Sequence, residues 1–254
     1  MEEIVPLFKS HCSLGRSILT LEKPQEEADP ETSDSVFDIV KQENLKDVFL
    51  VEDNMTGFLQ AYTNAEELGV KLIFGLRITF CPDHANKSEE GRKNSYKNII
   101  FAKSNVGYKQ LIKIYTHAAQ DGFYYEPRTD NAKFKEFYTD DLMLATPFYD
   151  SFLYVNKYTD SSCVPDFSFC DPIFFVEDND VLVDQDLEAS VRKFCDGKYD
   201  VIKTKSIFYK NKIDFGAYLT HRCISKRTSL EKPNFDGMCS NEFCFESYKE
   251  VVNG

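Results

Sequence analysis

No stretch of the 254 residues approaches the roughly 18 consecutive apolar residues of a membrane-spanning helix. Basic residues are also missing where a secretory signal would carry them, since the chain opens MEEIVPLFKSHC. Both absences predict a soluble, cytoplasmic protein. Among the eight cysteines (Cys12, Cys81, Cys163, Cys170, Cys195, Cys223, Cys239 and Cys244) there is no CxxC pair, so reduced thiols are expected rather than a disulfide framework. Cys239 and Cys244 lack a second ligand pair at zinc-site spacing. An excess of positive charge is absent too. The 30 Lys and Arg against 42 Asp and Glu leave a net charge of −12, which repels phosphate backbones and disfavours nucleic acid as a partner of the chain by itself. Neither GxxxxGK[ST] nor GxGxxG occurs, which argues against a phosphate-loop nucleotide site. With no internal repeat and no linker-like tract, the sequence reads as one domain over 1–254, with surface loops at 23–35 and 82–97.

What is present is apolar and aromatic: 42% hydrophobic residues, with 22 Phe and 14 Tyr, enough to bury a sizeable core. Hydrophobic periodicity predicts a helix over 36–42, with its cap at Ser33 or Ser35, then a strand over 48–51, a helix over 57–68 and a strand over 70–80. A strand over 98–102 leads to a helix whose apolar stripe runs through Val106, Leu111, Ile112, Tyr115 and Ala118. Further strands are expected at 142–145, 152–155, 173–176 and 201–203, with helices over 185–195 and 214–224. Repeated strand and helix in this order indicate a parallel sheet or a barrel with helices outside. Lys203, Lys205, Lys210 and Lys212, interleaved with Phe208 and Tyr209, would suit single-stranded nucleic acid, but read more simply as a strand and a solvated turn.

Several segments, in order, resemble the PHP (polymerase and histidinol phosphatase) domain that opens bacterial replicative DNA polymerase alpha subunits. VFLVEDNMTGFLQAYTNAEELGVKLIFGLRITF, 48–80, looks like that family's strand, Thr-Asp-His turn, helix and strand ending in Gly-x-Glu. NIIFAKSNVGYKQLIKIYTHAAQDGFYYEPRTD, 98–130, is similar to its strand, helix and Pro-Arg stretch. DVIKTKSIFYKNKIDFGAYLTHRCI, 200–224, resembles the late Asp-x-His strand and its helix, and NEFCFESYKEV the closing element. The resemblance implies a distorted TIM-like (β/α)7 barrel. It also implies a site at the barrel mouth where two or three divalent metals, of the zinc, manganese or iron class, ionise water and clamp a phosphate. The carboxylate-bearing segments that catalyse synthesis in such polymerases are not in this sequence, so polymerase activity is not expected. The Lys-, Asn-, Phe- and Tyr-rich composition fits an A/T-rich genome, phage included, which would place the protein in host cytoplasm.

A site of that size consumes several histidines, and this chain has four: His11, His84, His117 and His221. The family's His-x-His is matched by Lys9 and His11, and its Thr-Asp-His by Glu52, Asp53 and Asn54. Gly75, Leu76 and Arg77 stand at Gly-x-Glu, and Ser206, Ile207 and Phe208 at Asp-x-His. His11 and Asp53 are therefore the catalytic candidates, and His11, Asp53 and Asn54 the vestigial metal positions. Cations occupy two ligand positions, and Lys9, Arg77 and Lys205 are expected to pair with Glu52 and Asp53 or to hold a phosphate. His84 falls in a loop where that family can have ligands, while His221 reads as a structural helix residue. No cofactor is expected, or a divalent metal if the site is active. The resemblance implies a non-catalytic accessory module of viral or bacterial DNA replication, partnered by replication proteins or polymerase components. Two alternatives stand beside it: a metal-dependent phosphoesterase or 3′-5′ exonuclease with a reduced site, and a binder of phosphate or DNA ends through Lys9 and Arg77.

Overall fold

The computed structural model describes residues 4–24, 33–230 and 240–254, so most of the loop expected at 23–35, and Cys239, lie outside the described residues. The strands are β1 (Val5–Phe8), β2 (Asp47–Glu52), β3 (Lys71–Cys81), β4 (Tyr96–Ala102), β5 (Arg128–Asp130), β6 (Leu142–Thr146), β7 (Ile173–Val176) and β8 (Val201–Ile207). The helices are α1 (Val36–Gln42), α2 (Phe58–Leu68), α3 (Glu89–Lys93), α4 (Asn105–Gln120), α5 (Asn131–Phe137), α6 (Phe152–Tyr158), α7 (Asp184–Cys195), α8 (Phe215–Lys226) and α9 (Phe245–Asn253). Seven strands close a ring in the order β1, β2, β3, β4, β6, β7, β8, and β8 returns to β1. All pairs in the ring are parallel except those of β4, which runs antiparallel to β3 and β6. This is a distorted TIM-like barrel. β5 stands outside the ring, on the far end of β3, where Thr79 to Cys81 pair with Arg128 to Asp130.

Strand alternation sends every second residue into the barrel. Leu7, Val51, Ile99, Phe101, Ala145 and Phe175 fill it. Gly75 belongs to that layer because a Cβ there would come within 2.6 Å of the Phe101 ring, so the interior has no room for a side chain at this point. The opposite faces of the same strands carry Phe8, Leu50, Phe74, Ile100, Leu144 and Phe174 into a second core beneath the helices. Helix starts follow hydroxyl and carboxylate caps: Ser35 accepts from the Phe37 amide at α1, Ser104 from Val106 and Gly107 at α4, and Asp130 from Lys133 at α5. Among the described residues no helix is long and apolar enough to cross a membrane, and the seven described cysteines are free.

Two local expectations fail. The run 152–155 is the start of α6, not a strand, because Ser151 caps it by accepting from the Tyr154 amide and Phe152 alone of its seven residues is buried. The segment 82–97 is not all loop, since it holds α3 and the first two residues of β4.

Candidate functional site at the barrel mouth

The alternation that fills the barrel also selects what lies above it. Two residues beyond the inward Leu7, Gly75 and Phe175 come Lys9 and Glu177, just past the ends of β1 and β7, and Arg77 within β3, while Asp53 follows the end of β2. Ser206 of β8 pairs in register with Leu7 and faces the same way. Leu7, Val51, Ile99 and Phe175 floor a cavity of about 60 Å³ whose walls include Lys9, Arg16, Arg77, Asp150, Glu177 and Arg222.

Asp53 is the hub. Lys9 Nζ donates to its Oδ1 at 2.9 Å, Arg77 donates to the same oxygen at 3.2 Å, and Arg16 Nε lies 3.7 Å from Oδ2. The other nitrogen of the Arg77 fork donates to Asp150, which sits in a turn after β6 at φ 62°, a conformation an aspartate tolerates. Burial alone would raise the Asp53 carboxyl, but the charges of Lys9, Arg77 and Arg16 outweigh it and hold the group far below the usual carboxylate range. Asp150 is likewise lowered, by Arg77, Arg16 and Lys97 against burial. Burial pushes the Lys9 ammonium down, a shift that Asp53 opposes.

Two further carboxylates, Glu52 and Glu177, accept hydrogen bonds from nearby amides and hydroxyls, and the Lys9 charge also acts on Glu52. Glu52, fully buried, accepts from the Ser10 amide at 2.9 Å and from the Ser13 hydroxyl, which in turn accepts from the Asp53 amide. Glu177 accepts from the Ser206 amide at 3.0 Å, the Ser206 hydroxyl at 2.8 Å and Asn179 Nδ2 at 2.8 Å. Burial raises both carboxyls despite these donors.

Lys9 and Arg77 thus meet at Asp53, while the remaining sequence candidates disperse. The His11 side chain is exposed and makes no hydrogen bond or ion pair with a described residue. Asn54 is spent on the loop, donating to the Cys12 carbonyl at 2.7 Å and accepting from the Thr56 amide at 2.8 Å. Lys205 does not reach Glu52 or Asp53. It falls on the opposite face of β8 from Ser206, donates to the Asp178 carbonyl at 2.8 Å and lies 4.0 Å from Glu242. Phe208 is buried and stacks on Phe243, Tyr209 is fully buried, and Lys210 and Lys212 pair with Asp34 and Glu250, so the basic aromatic stretch offers no stacking platform. His221 on α8 is structural, accepting from the Gly15 amide at 3.2 Å.

Arg16, Asp150, Glu177 and the Lys97–Glu126 pair (2.6 Å) were not legible as site residues. Glu177 had a signal, as the first polar residue after the apolar strand IFFV. Arg16 and Asp150 come from loops, where no periodicity points inward.

A metal clamp does not fit this mouth. Asp53 and Asp150 already carry the Lys9, Arg16 and Arg77 charges, and a divalent ion beside them would face that repulsion. Among the described residues the group that could share a metal lies elsewhere, at Asp83, His84 and Asp130.

A family model for the PHP domain matches residues 31–158, half of the chain. The DNA polymerase III subunit alpha of Borreliella burgdorferi is 32% identical over 93 residues, 35% of this chain and 8% of that protein. That of Helicobacter pylori is 33% identical over 98 residues, 38% and 8% of the two chains, and that of Aquifex aeolicus 33% over 84 residues, 30% and 7%. The chain therefore spans less than a tenth of the length of these relatives. With half its length matched by the family model and a closed barrel of the expected kind, the chain belongs to the PHP domain family.

Proposed function

We propose that this PHP domain is a non-catalytic module of a DNA replication system, acting through protein contacts rather than hydrolysis. The observation that carries the reading is the convergence of Lys9, Arg16 and Arg77 on Asp53 at the barrel mouth. Ionising a water at neutral pH calls for a strong Lewis acid or a free base. Asp53 is too weak a base when held by three cations, and Glu52 has both oxygens occupied. The replication setting is supported by the polymerase alpha relatives, whose own activities do not transfer to so short a shared segment.

The test is phosphodiester and DNA 3′-end hydrolysis with added Mn²⁺, Zn²⁺ or Mg²⁺. Turnover no greater than that of Asp53→Asn is expected, and metal-dependent turnover lost in Asp53→Asn would overturn the reading. Tagged chain should co-purify with replication proteins from its own cells, and recovery of none would remove the interaction half.

A second reading is favoured by the basic side chains Lys9, Arg16, Arg77 and Arg222 around the 60 Å³ cavity, which suit an anionic group. Inorganic phosphate or a nucleotide at 100 times its dissociation constant would then add about 2.7 kcal/mol of stability. A thermal shift that Arg77→Met removes would support it, and no shift in the wild type would exclude it.

A further inference from the structure

The end of β3 carries a group chemically unlike the mouth. Four residues of extended strand, roughly 13 Å, separate Arg77 from Cys81, and the chain then turns through Asp83 and His84. β5 pairs with this end of β3 and delivers Asp130 beside them. One ligand atom from each of Asp83, His84 and Asp130 lies within 4.8 Å of the others. Asp130 Oδ2 accepts from the His84 amide at 3.0 Å and faces His84 Nδ1, while its Oδ1 caps α5.

Two independent features single the group out. Neither Asp83 nor Asp130 has a Lys or Arg ion-pair partner among the described residues, although every mouth carboxylate near Arg77 has one. Behind His84, the His117 ring of α4 packs edge to face at 4.7 Å between centroids. His117 is 9% exposed, its Nδ1 faces Asp121 at 3.0 Å, and its Nε2 is buried without a hydrogen-bond partner among the described residues. An orphaned imidazole nitrogen in a buried position costs about 1–3 kcal/mol unless something occupies it. The loop that presents Asp83 and His84 is fixed from below: Arg128 Nη2 donates to the His84 and Asn86 carbonyls at 3.3 Å each, and Asp83 Oδ1 accepts from the Ala85 amide at 2.8 Å. Arg128 is the nearby cation, and it is turned to backbone oxygens rather than to the carboxylates.

We propose that Asp83, His84 and Asp130 bind one divalent metal of the zinc class, with the His117 ring packed on His84 as an outer support rather than a ligand. One imidazole and two carboxylates suit zinc, cobalt or manganese and leave positions open to water. Uptake breaks the His84 Nδ1 to Asp130 hydrogen bond, and the neutral imidazole offers Nδ1 to the metal while it carries its one proton on Nε2. The carbonyl contacts of Arg128 then play the part of outer-shell supports that orient a ligand.

The test is titration of chelator-treated full-length chain with Co²⁺ alone, read by calorimetry and by the visible absorption of the bound ion. One equivalent is expected, with the weak bands of nitrogen and oxygen coordination and no thiolate charge-transfer band. His84→Asn should weaken binding at least about tenfold and His117→Gln by less, with unchanged circular dichroism, while Asp53→Asn changes nothing. Absence of a stoichiometric equivalent, a thiolate band, or equal binding by folded His84→Asn would each overturn the proposal. Because the mouth reading rests on hydrolysis and on Asp53, its failure is distinguishable from failure here.

Discussion

The barrel mouth and the β3–β5 corner hold the same kind of acid in opposite company. At the mouth Asp53 and Asp150 are matched by Lys9, Arg16 and Arg77, whereas at the corner Asp83 and Asp130 meet imidazole and backbone amides. A fixed guanidinium and a divalent ion are two solutions to one electrostatic problem, the repulsion of gathered carboxylates. They differ in consequence. A fixed cation stabilises the fold at all times and cannot ionise water, while a metal can be gained or lost. On the proposed reading, the charges at the mouth serve the fold rather than hydrolysis.

The largest test of that contrast is Arg77→Met. Removing one partner of a buried ion network leaves uncompensated charge, at about 3–5 kcal/mol for fully buried pairs. Asp53 and Asp150 retain 29% and 36% side-chain exposure, so about 2–3 kcal/mol is expected here, read as a fall in the urea midpoint without a change in slope. His84→Asn should cost no more than about 1 kcal/mol in metal-free protein, since it removes one local hydrogen bond. Equal losses at the two places would erase the comparison.

The pH dependence sharpens it. Asp53 titrates lower in the folded chain than unfolded, so its stabilisation is present above the unfolded value near 3.9 and fades as pH falls below about 4. The stability difference between wild type and Asp53→Asn should shrink in that range. Glu177 has the opposite sign, its folded carboxyl being raised, so its contribution is full below about 4.3 and declines as pH rises towards the folded value. Glu177→Gln should therefore look relatively better at neutral pH than at pH 4. Parallel pH curves for the two variants would contradict the assignment of these shifts.

A smaller effect tests the scaffold of the corner. Asp130→Asn keeps a side-chain oxygen at the α5 cap and should cost only a few tenths of a kcal/mol there, while Asp130→Ala should cost about 1 kcal/mol. If both cost the same, the capping oxygen is not what holds α5 in place.

Much of the barrel was legible because long periodic segments declare themselves: α1, β2, α2, β3, α4 and α7 fall within two residues of expectation. The antiparallel direction of β4 was not, since a strand's side-chain period is the same in either direction. The strand expected at 152–155 failed because a four-residue apolar run carries no period, and the capping hydroxyl of Ser151 decided it. At the site, Lys9, Asp53 and Arg77 could be placed together because they stand at motif positions, while Lys205 was misplaced by one residue of alternation. A single step along β8 exchanges the inward Ser206 for the outward Lys205. His84 and Asp130 lie 46 residues apart, and their meeting depends on β5 docking outside the ring, which no local pattern reveals.

The central claim is that fixed cations have taken the metal's place at the mouth. Its most direct test is to count Mn²⁺ equivalents bound by His84→Asn, with the corner silenced, in the presence and absence of Asp53→Asn. The account predicts no tightly bound Mn²⁺ in either protein. One equivalent bound by His84→Asn and removed by adding Asp53→Asn would contradict it.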